Sequence, residues 1–197
     1  MPLQHKNIPN EQSESIIAFG SNKSNDFGAS VLLINKALRA LSRRGLFRVE
    51  SSKFYQTPAF PAGAGPDFVN GVVRAQTDLG AAGLLTLLHE VEAEFGRTRD
   101  KRWEARVLDL DLIDYAGCIA PNLDVHQEWR DMPLAAQMER VPEQMILPHP
   151  RVQDRPFVLV PMRDVAPDWV HPVTGVSLAD MLSGFSAKEL AEIRPLN

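Results

Sequence analysis

The order of apolar patterns along the chain predicts an α+β fold: a ferredoxin-like αβ sandwich, an antiparallel sheet with helices packed on its faces. Three observations carry that prediction. Segments of period two and of period 3.6 alternate in the order β-α-β-β-α-β. Both long helical stretches carry one apolar stripe, so each packs on a single surface. The whole pattern fits within 197 residues, the size of one domain.

The elements follow in order. Ser15 to Phe19 is a short apolar run stopped by Gly20-Ser21-Asn22, which reads as a buried strand entering a turn. A helix is expected over Gly28 to Ser42, with Val31, Ile34, Leu38 and Leu41 as its stripe. Gly45 breaks the chain, and Leu46 to Tyr55 alternates as a second strand. Thr57 to Asp67 holds Pro58, Pro61, Pro66, Gly63 and Gly65 and reads as a loop able to act as a flap. Phe68 to Thr77 is a third strand, with Phe68 and Asn70 on one face and Val69, Gly71 and Val73 on the other.

The clearest helix spans Gly80 to Phe95, with Leu84, Leu88, Val91 and Phe95 facing the core and Gly96 as its stop. A basic loop, Arg97 to Arg106, leads into a strand over Val107 to Tyr115. Beyond Gly117 the pattern dissolves, and about 118–141 reads as a surface insertion able to carry a short helix. Short helices are expected at Phe157 to Val165 and at Ser177 to Leu182. Residues 1–14 are polar and lack an apolar h-region, so a flexible tail is expected there and not a signal peptide, with a single domain over 15–197.

Composition narrows the function classes. Apolar residues make up 44%, enough for a real core, and the net charge of −4 gives no global signal for nucleic acid or a membrane surface. The single cysteine, Cys118, excludes an internal disulfide, fits a reducing compartment, and by default is a small, partly buried residue. No apolar run approaches the roughly 20 residues of a membrane span. A cytoplasmic monomer is the expectation.

Chemistry concentrates in Arg102-Trp103-Glu104-Ala105-Arg106-Val107-Leu108-Asp109-Leu110-Asp111-Leu112-Ile113. If Leu108, Leu110 and Leu112 point into the core, Asp109 and Asp111 share the other face, roughly 6.5–7 Å apart. Two such carboxylates can hold one hard cation between them, or two adjacent ones, as Mg²⁺ is held at ATP sites with substrate phosphates. The plainer alternative is a solvated strand face, but aspartate is disfavoured in strands. Upstream lie Arg97, Arg99, Lys101, Arg102 and Arg106, side chains suited to phosphate recognition or simply to a charged helix end. If the helices cover the leucine face, Asp109, Asp111, Phe68 and Asn70 come together on the opposite, open face.

Other chemistries are disfavoured. There is no glycine-rich phosphate loop closed by Lys-Ser or Lys-Thr, no dinucleotide fingerprint, no zinc-protease helix motif and no nucleophile elbow. His149 sits between Pro148 and Pro150, either aimed at a site or packed in a turn, and His89 and Glu92 are three apart on the long helix. His5, His126 and His171 carry no usable signal.

Several segments together resemble the 6-hydroxymethyl-7,8-dihydropterin pyrophosphokinase family. They are Ala18-Phe19-Gly20-Ser21-Asn22, Ser51-Ser52-Lys53-Phe54-Tyr55-Gln56-Thr57-Pro58, Asp67-Phe68-Val69-Asn70 and Gly96-Arg97-Thr98-Arg99. The series continues with Arg102-Trp103, Arg106-Val107-Leu108-Asp109-Leu110-Asp111, Leu147-Pro148-His149-Pro150-Arg151 and Arg155-Pro156-Phe157. The resemblance runs from about Ile16 to Trp169, in order and at fitting spacings. It implies transfer of the β,γ-pyrophosphoryl group of ATP to a pterin hydroxymethyl oxygen in folate biosynthesis, with release of AMP.

By that resemblance Asp109 and Asp111 would hold two Mg²⁺ ions, and Arg97 and Arg106 would reach the phosphates. Phe68 and Phe157 would sandwich the pterin, with Asn70 and groups around Thr57, Pro58 and Phe60 on its edge. His89, Glu92, Arg99, Arg102, Trp103, Leu112, His149 and Arg155 would serve the nucleotide. Phe68 stands where the family commonly has tyrosine, His89 where it often has glutamine, and Glu104-Ala105 replaces a smaller pair. A non-catalytic ferredoxin-like module binding nucleotide, pterin or RNA is the competing expectation. The two aspartates weigh against RNA.

Overall fold

The structure, a computed structural model, describes residues 12–22, 27–59, 66–96, 107–133, 135–136 and 140–196. In chain order the elements are β1 (Ser13–Ser21), α1 (Phe27–Arg44), β2 (Leu46–Ser51), β3 (Tyr55–Thr57), β4 (Phe68–Thr77), α2 (Ala81–Glu94) and β5 (Asp109–Tyr115). There follow α3 (Leu123–Asp131), a 3₁₀ turn (Val152–Asp154), α4 (Pro156–Met162), α5 (Leu178–Ser183), α6 (Ala187–Ala191) and β6 (Arg194–Pro195). The sheet order is β5-β1-β4-β3-β6, with β2 also paired to β4 and every pairing antiparallel. This is the ferredoxin-like α+β plan.

β1 lies in the middle of the sheet and is buried on both faces, which is why its sequence reads as a continuous apolar run. Alternate side chains serve two cores. Ile17 and Phe19 meet Ile34 and Leu41 of α1 and Leu84 and Leu88 of α2. Ile16 and Ala18 meet Val158, Leu159 and Met162 of α4, with Leu178 and Met181 of α5 beyond. A fully buried Ile, Leu, Val, Met or Phe side chain among these contributes about 1.5–3 kcal/mol relative to exposure. Among the described residues no helix is long and apolar enough to cross a membrane.

Three local features depart from expectation. The strand expected over Leu46–Tyr55 is two strands, β2 and β3, which both run along β4. Ser52 makes the break: its N–H donates to the Val72 carbonyl at 2.9 Å, while its Oγ accepts from the Val72 N–H at 2.9 Å. A side-chain oxygen has taken the place of a backbone acceptor, so β4 keeps its bonds while the partner strand kinks. Gly20 and Ser21 do not stop the first strand; they extend β1 and pair with Asn70 and Val69. Cys118, expected to be partly buried, is exposed, because it follows the turn that leaves β5 at Ala116 and Gly117.

The face opposite α1 and α2 is also less open than the sequence suggested. α4 packs on it through Val158, Leu159 and Met162, with α5 stacked beyond α4. Short pieces finish the fold: β6 pairs with β3 through Tyr55 and Gln56, and Leu196 N–H donates to the Phe54 carbonyl at 2.8 Å. Asp164, just beyond α4, accepts from the Tyr55 hydroxyl and the Lys53 N–H, both at 3.0 Å. Burial and that carboxylate push the Tyr55 hydroxyl up to about 12, so it stays a donor.

Candidate active site

Beside the N-terminus of α4, the rows on that face of the sheet turn from apolar to polar. Register across β4, β1 and β5 places Val72, Ala18 and Asp111 in one row, and Asn70, Gly20 and Asp109 in the next. These residues share the face opposite α1 and α2, so the alternation read from Leu108, Leu110 and Leu112 holds. A cleft lies over these rows, walled by Gly20, Asn70, Asp109, Asp111 and, from α4, Phe157.

Gly20 forms the floor because it has no side chain. A Cβ there would collide with the Asn70 side-chain oxygen and lie 3.7 Å from the Phe68 ring. Asn70 is buried, and its Nδ2 donates to Thr57 Oγ1 at 2.7 Å. Thr57 also faces Phe68 across the β3–β4 pair. One amide, one glycine and one aromatic ring therefore set the shape of the cleft on its β4 side.

On the β5 side, Arg155 Nη1 donates to Asp111 Oδ2 at 2.7 Å. Arg155 caps the N-terminus of α4, ahead of Pro156, with its guanidinium 5.9 Å from the Phe157 ring centre. A cation at a helix N-terminus opposes the helix dipole. The Asp111 carboxylate offsets that opposition and draws Arg155 over the cleft.

The chain reaches Arg155 along a strap that lies on the outer edge of β5. Leu147 exchanges two backbone hydrogen bonds with Ala120, at 2.9 and 3.0 Å, and the His149 N–H donates to the Ile113 carbonyl at 2.8 Å. His149 Nδ1 accepts from the Arg151 N–H at 3.1 Å. Desolvation, with Arg155 alongside, holds this imidazole well below the usual histidine range, so its single proton sits on Nε2.

The remaining predicted residues separate. Glu92 is 1% exposed and its Oε1 accepts from the Leu110 N–H at 2.7 Å, whereas His89 on the same helix is exposed. Leu112 is buried in the core under α2. Pro58 is exposed beside Thr57. Phe60, Arg97, Arg99, Arg102, Trp103 and Arg106 lie outside the described residues. Asp114, next after the pair, is structural: its Oδ2 accepts from the Gly117 N–H at 3.0 Å, and burial pushes its carboxyl above the ordinary range. Two features escaped the sequence reading. The need for Gly20 becomes visible only once Asn70 is known to lie opposite it, and the Glu92 bond is a contact that no periodicity encodes.

The donor set bears on which cation fits. Asp109 and Asp111, both half-buried, offer hard oxygens, and among the described residues no group of three or more His, Cys, Asp or Glu converges. Zinc would want a fuller set with nitrogen or sulfur. Two carboxylates alone suit Mg²⁺, which keeps waters and takes its remaining ligands from substrate phosphates.

A family profile described as 7,8-dihydro-6-hydroxymethylpterin-pyrophosphokinase (HPPK) matches residues 16–167. The chain is 29% identical over 195 residues to a Synechocystis protein named 2-amino-4-hydroxy-6-hydroxymethyldihydropteridine pyrophosphokinase, covering 98% of this chain and 87% of the relative. A Pseudomonas aeruginosa protein of the same name is 36% identical over 133 residues, covering 68% of each. Among solved structures, a Plasmodium falciparum HPPK-DHPS triple mutant superposes with a TM-score of 0.65 at 13% identity, over 95% of this chain. This chain spans 47% of that longer one, and the likeness shows the fold.

Proposed function

The chain belongs to the 7,8-dihydro-6-hydroxymethylpterin-pyrophosphokinase family, and from that premise we propose that it moves the β,γ-pyrophosphoryl group of ATP to the hydroxymethyl oxygen of 6-hydroxymethyl-7,8-dihydropterin, releasing AMP. Pyrophosphoryl transfer in folate biosynthesis is the family's activity, and the match does not favour a non-catalytic binding module. The observation that carries the reading is one cleft bordered by Asp109, Asp111, Asn70 and Phe157.

Asp109 and Asp111 would hold Mg²⁺, two ions on the family's pattern, which when bound neutralises phosphate charge and acidifies the accepting hydroxyl. Transfer of this kind needs little covalent help, so the protein's contribution is position and charge. Phe157 from α4 and Phe68 beside Gly20 would stack on the two faces of the pterin. Asn70, braced by Thr57, would bond its edge, with Pro58 and Phe60 nearby. Arg155 and His149 would meet the nucleotide from the strap; His89, Glu92 and Leu112 are assigned to it by family resemblance alone. Arg97 and Arg106, with Arg99, Arg102 and Trp103, are assigned to the phosphates by family resemblance. The reading includes a single domain over 15–197, acting as a cytoplasmic monomer.

The purified protein, 6-hydroxymethyl-7,8-dihydropterin, ATP and Mg²⁺ should yield AMP only when all are present, resolved from ADP by chromatography. ADP as the product would overturn the proposal. The cleft floor gives a second expected result. Gly20→Ala pushes the Asn70 amide off its seat and raises KM for the pterin about tenfold, equivalent to about 1.4 kcal/mol of binding. KM for ATP should change less than about threefold, and equal rises in both would contradict the assignment of Asn70.

A further inference from the structure

α3 lies in the segment after Gly117 and has few apolar residues, yet it buries two side chains, His126 and Trp129. Asn122 Oδ1 caps it by accepting from the Val125 N–H at 3.0 Å. His126 is fully buried, and its Nε2 lies 3.0 Å from the Pro148 carbonyl oxygen. A carbonyl only accepts, so Nε2 carries the proton and Nδ1 keeps a lone pair.

The neighbouring ring has the opposite need. His171, also fully buried, lies 5.9 Å from His126 between ring centres at an interplanar angle of 72°. Its Nδ1 accepts from the Val173 N–H at 3.1 Å and the Thr174 N–H at 3.4 Å, which places its proton on Nε2. His171 Nε2 and His126 Nδ1 are buried with no hydrogen-bond partner among the described residues. One is a donor and the other a lone pair, the complement that a water-bridged bond requires. Trp169 closes the far side of His171 at 5.6 Å between ring centres. Arg130 and Asp131, ion-paired at 2.8 Å, are the charges bearing on the pair. Burial pushes both imidazoles below the ordinary histidine range, so both are neutral at pH 7.

The position of Pro148 gives this bond its meaning. Pro148 has no N–H, so the strap's own pairing lapses there, between Leu147 on Ala120 and His149 on Ile113. The Pro148 carbonyl is the point where α3 takes hold of the strap, immediately before His149 and seven residues before Arg155.

We infer that His126 is a positioning residue for the nucleotide side of the cleft. Its Nε2–H fixes the Pro148 carbonyl, and through it the strap that presents His149 and Arg155 beside Asp111, while the edge of His171 packs against the His126 ring. The inference rests on the proposed assignment of that strap to ATP.

The test compares wild type, His126→Leu and His126→Gln, with Kd for MgATP by calorimetry and melting by circular dichroism. Leucine leaves a buried carbonyl orphaned, so Kd should rise about tenfold. Glutamine restores an N–H at the same reach and should bring Kd within about threefold of wild type. KM for the pterin at saturating ATP should stay within about twofold in both. An unchanged Kd in folded His126→Leu, or an equal loss in His126→Gln, overturns the inference. Should His126→Leu fail to fold, ¹⁵N NMR of the wild type decides: an Nδ1–H tautomer at His126 overturns it, and a slowly exchanging Nε2–H supports it. A wild type that binds MgATP without releasing AMP overturns the proposed transfer, and the Kd ratio still judges His126.

Discussion

Asp109→Asn and Asp111→Asn should each lower pterin-dependent AMP release by about 10³-fold, on the scale of removing one preorganised charge-stabilising group from an active site. Asparagine keeps the shape of the side chain and removes the charge. Both aspartates are only partly buried, so the fold should tolerate the change. The two variants should differ in a second respect. Asp109→Asn leaves the Arg155–Asp111 pair intact, whereas Asp111→Asn breaks it. That pair is about a quarter to a third exposed, at 26% and 33%, and pairs of this kind contribute about 0–1 kcal/mol. Asp111→Asn should therefore melt no more than about 4 °C below wild type, and Asp109→Asn at the wild-type temperature. Activity within tenfold of wild type in both variants would remove the metal assignment.

The largest effect on stability is expected at Gly71. It pairs across the strands with Phe19, and a Cβ at Gly71 would strike the Phe19 ring and reach within 3.0 Å of Ser52 Oγ. Phe19 cannot retreat: it is 2% exposed and packed against Phe54 at 5.4 Å between ring centres. Ser52 is equally tied, since it bridges the break between β2 and β3 through Val72. Overpacking of this sort costs about 1–3 kcal/mol, and Gly71→Ala should lower the melting temperature by about 4–10 °C. Phe19→Leu alone should also destabilise, by leaving space. The double variant should lose less than the sum of the two, because each change relieves the other. Strict additivity in that cycle would mean the aromatic-over-glycine contact is not the cause.

Much of the fold was legible because long periodic segments are read with few competing signals. α2 and its stop at Gly96, and β4 from Phe68 to Thr77, match the pattern almost to the residue. The alternation of leucine and aspartate in β5 likewise put Asp109 and Asp111 on one face before any coordinates. What escaped lies in contacts that no period encodes. Ser52 splits a strand by offering its hydroxyl in place of a backbone acceptor. α4 is one short apolar cluster that packs on a face the pattern left bare. β6 is two residues long, below what alternation can mark. In α3 the inward stripe is a histidine and a tryptophan among charged residues, so counting aliphatic side chains misses it.

Glu92 gives α2 a second task besides packing. β5 is an edge strand, and the Leu110 N–H that Glu92 accepts sits between the two aspartates in sequence. The bond acts as a torsion stop: the strand cannot roll about its own axis without losing a buried carboxylate contact. The spacing and aim of Asp109 and Asp111 are thus gauged by a helix on the opposite face of the sheet. Ordering the two carboxylates is completed when the protein folds, and a cation arriving there would meet a preset pair. Affinity for such a cation would then be partly a property of α2, open to tuning from a residue that never touches it.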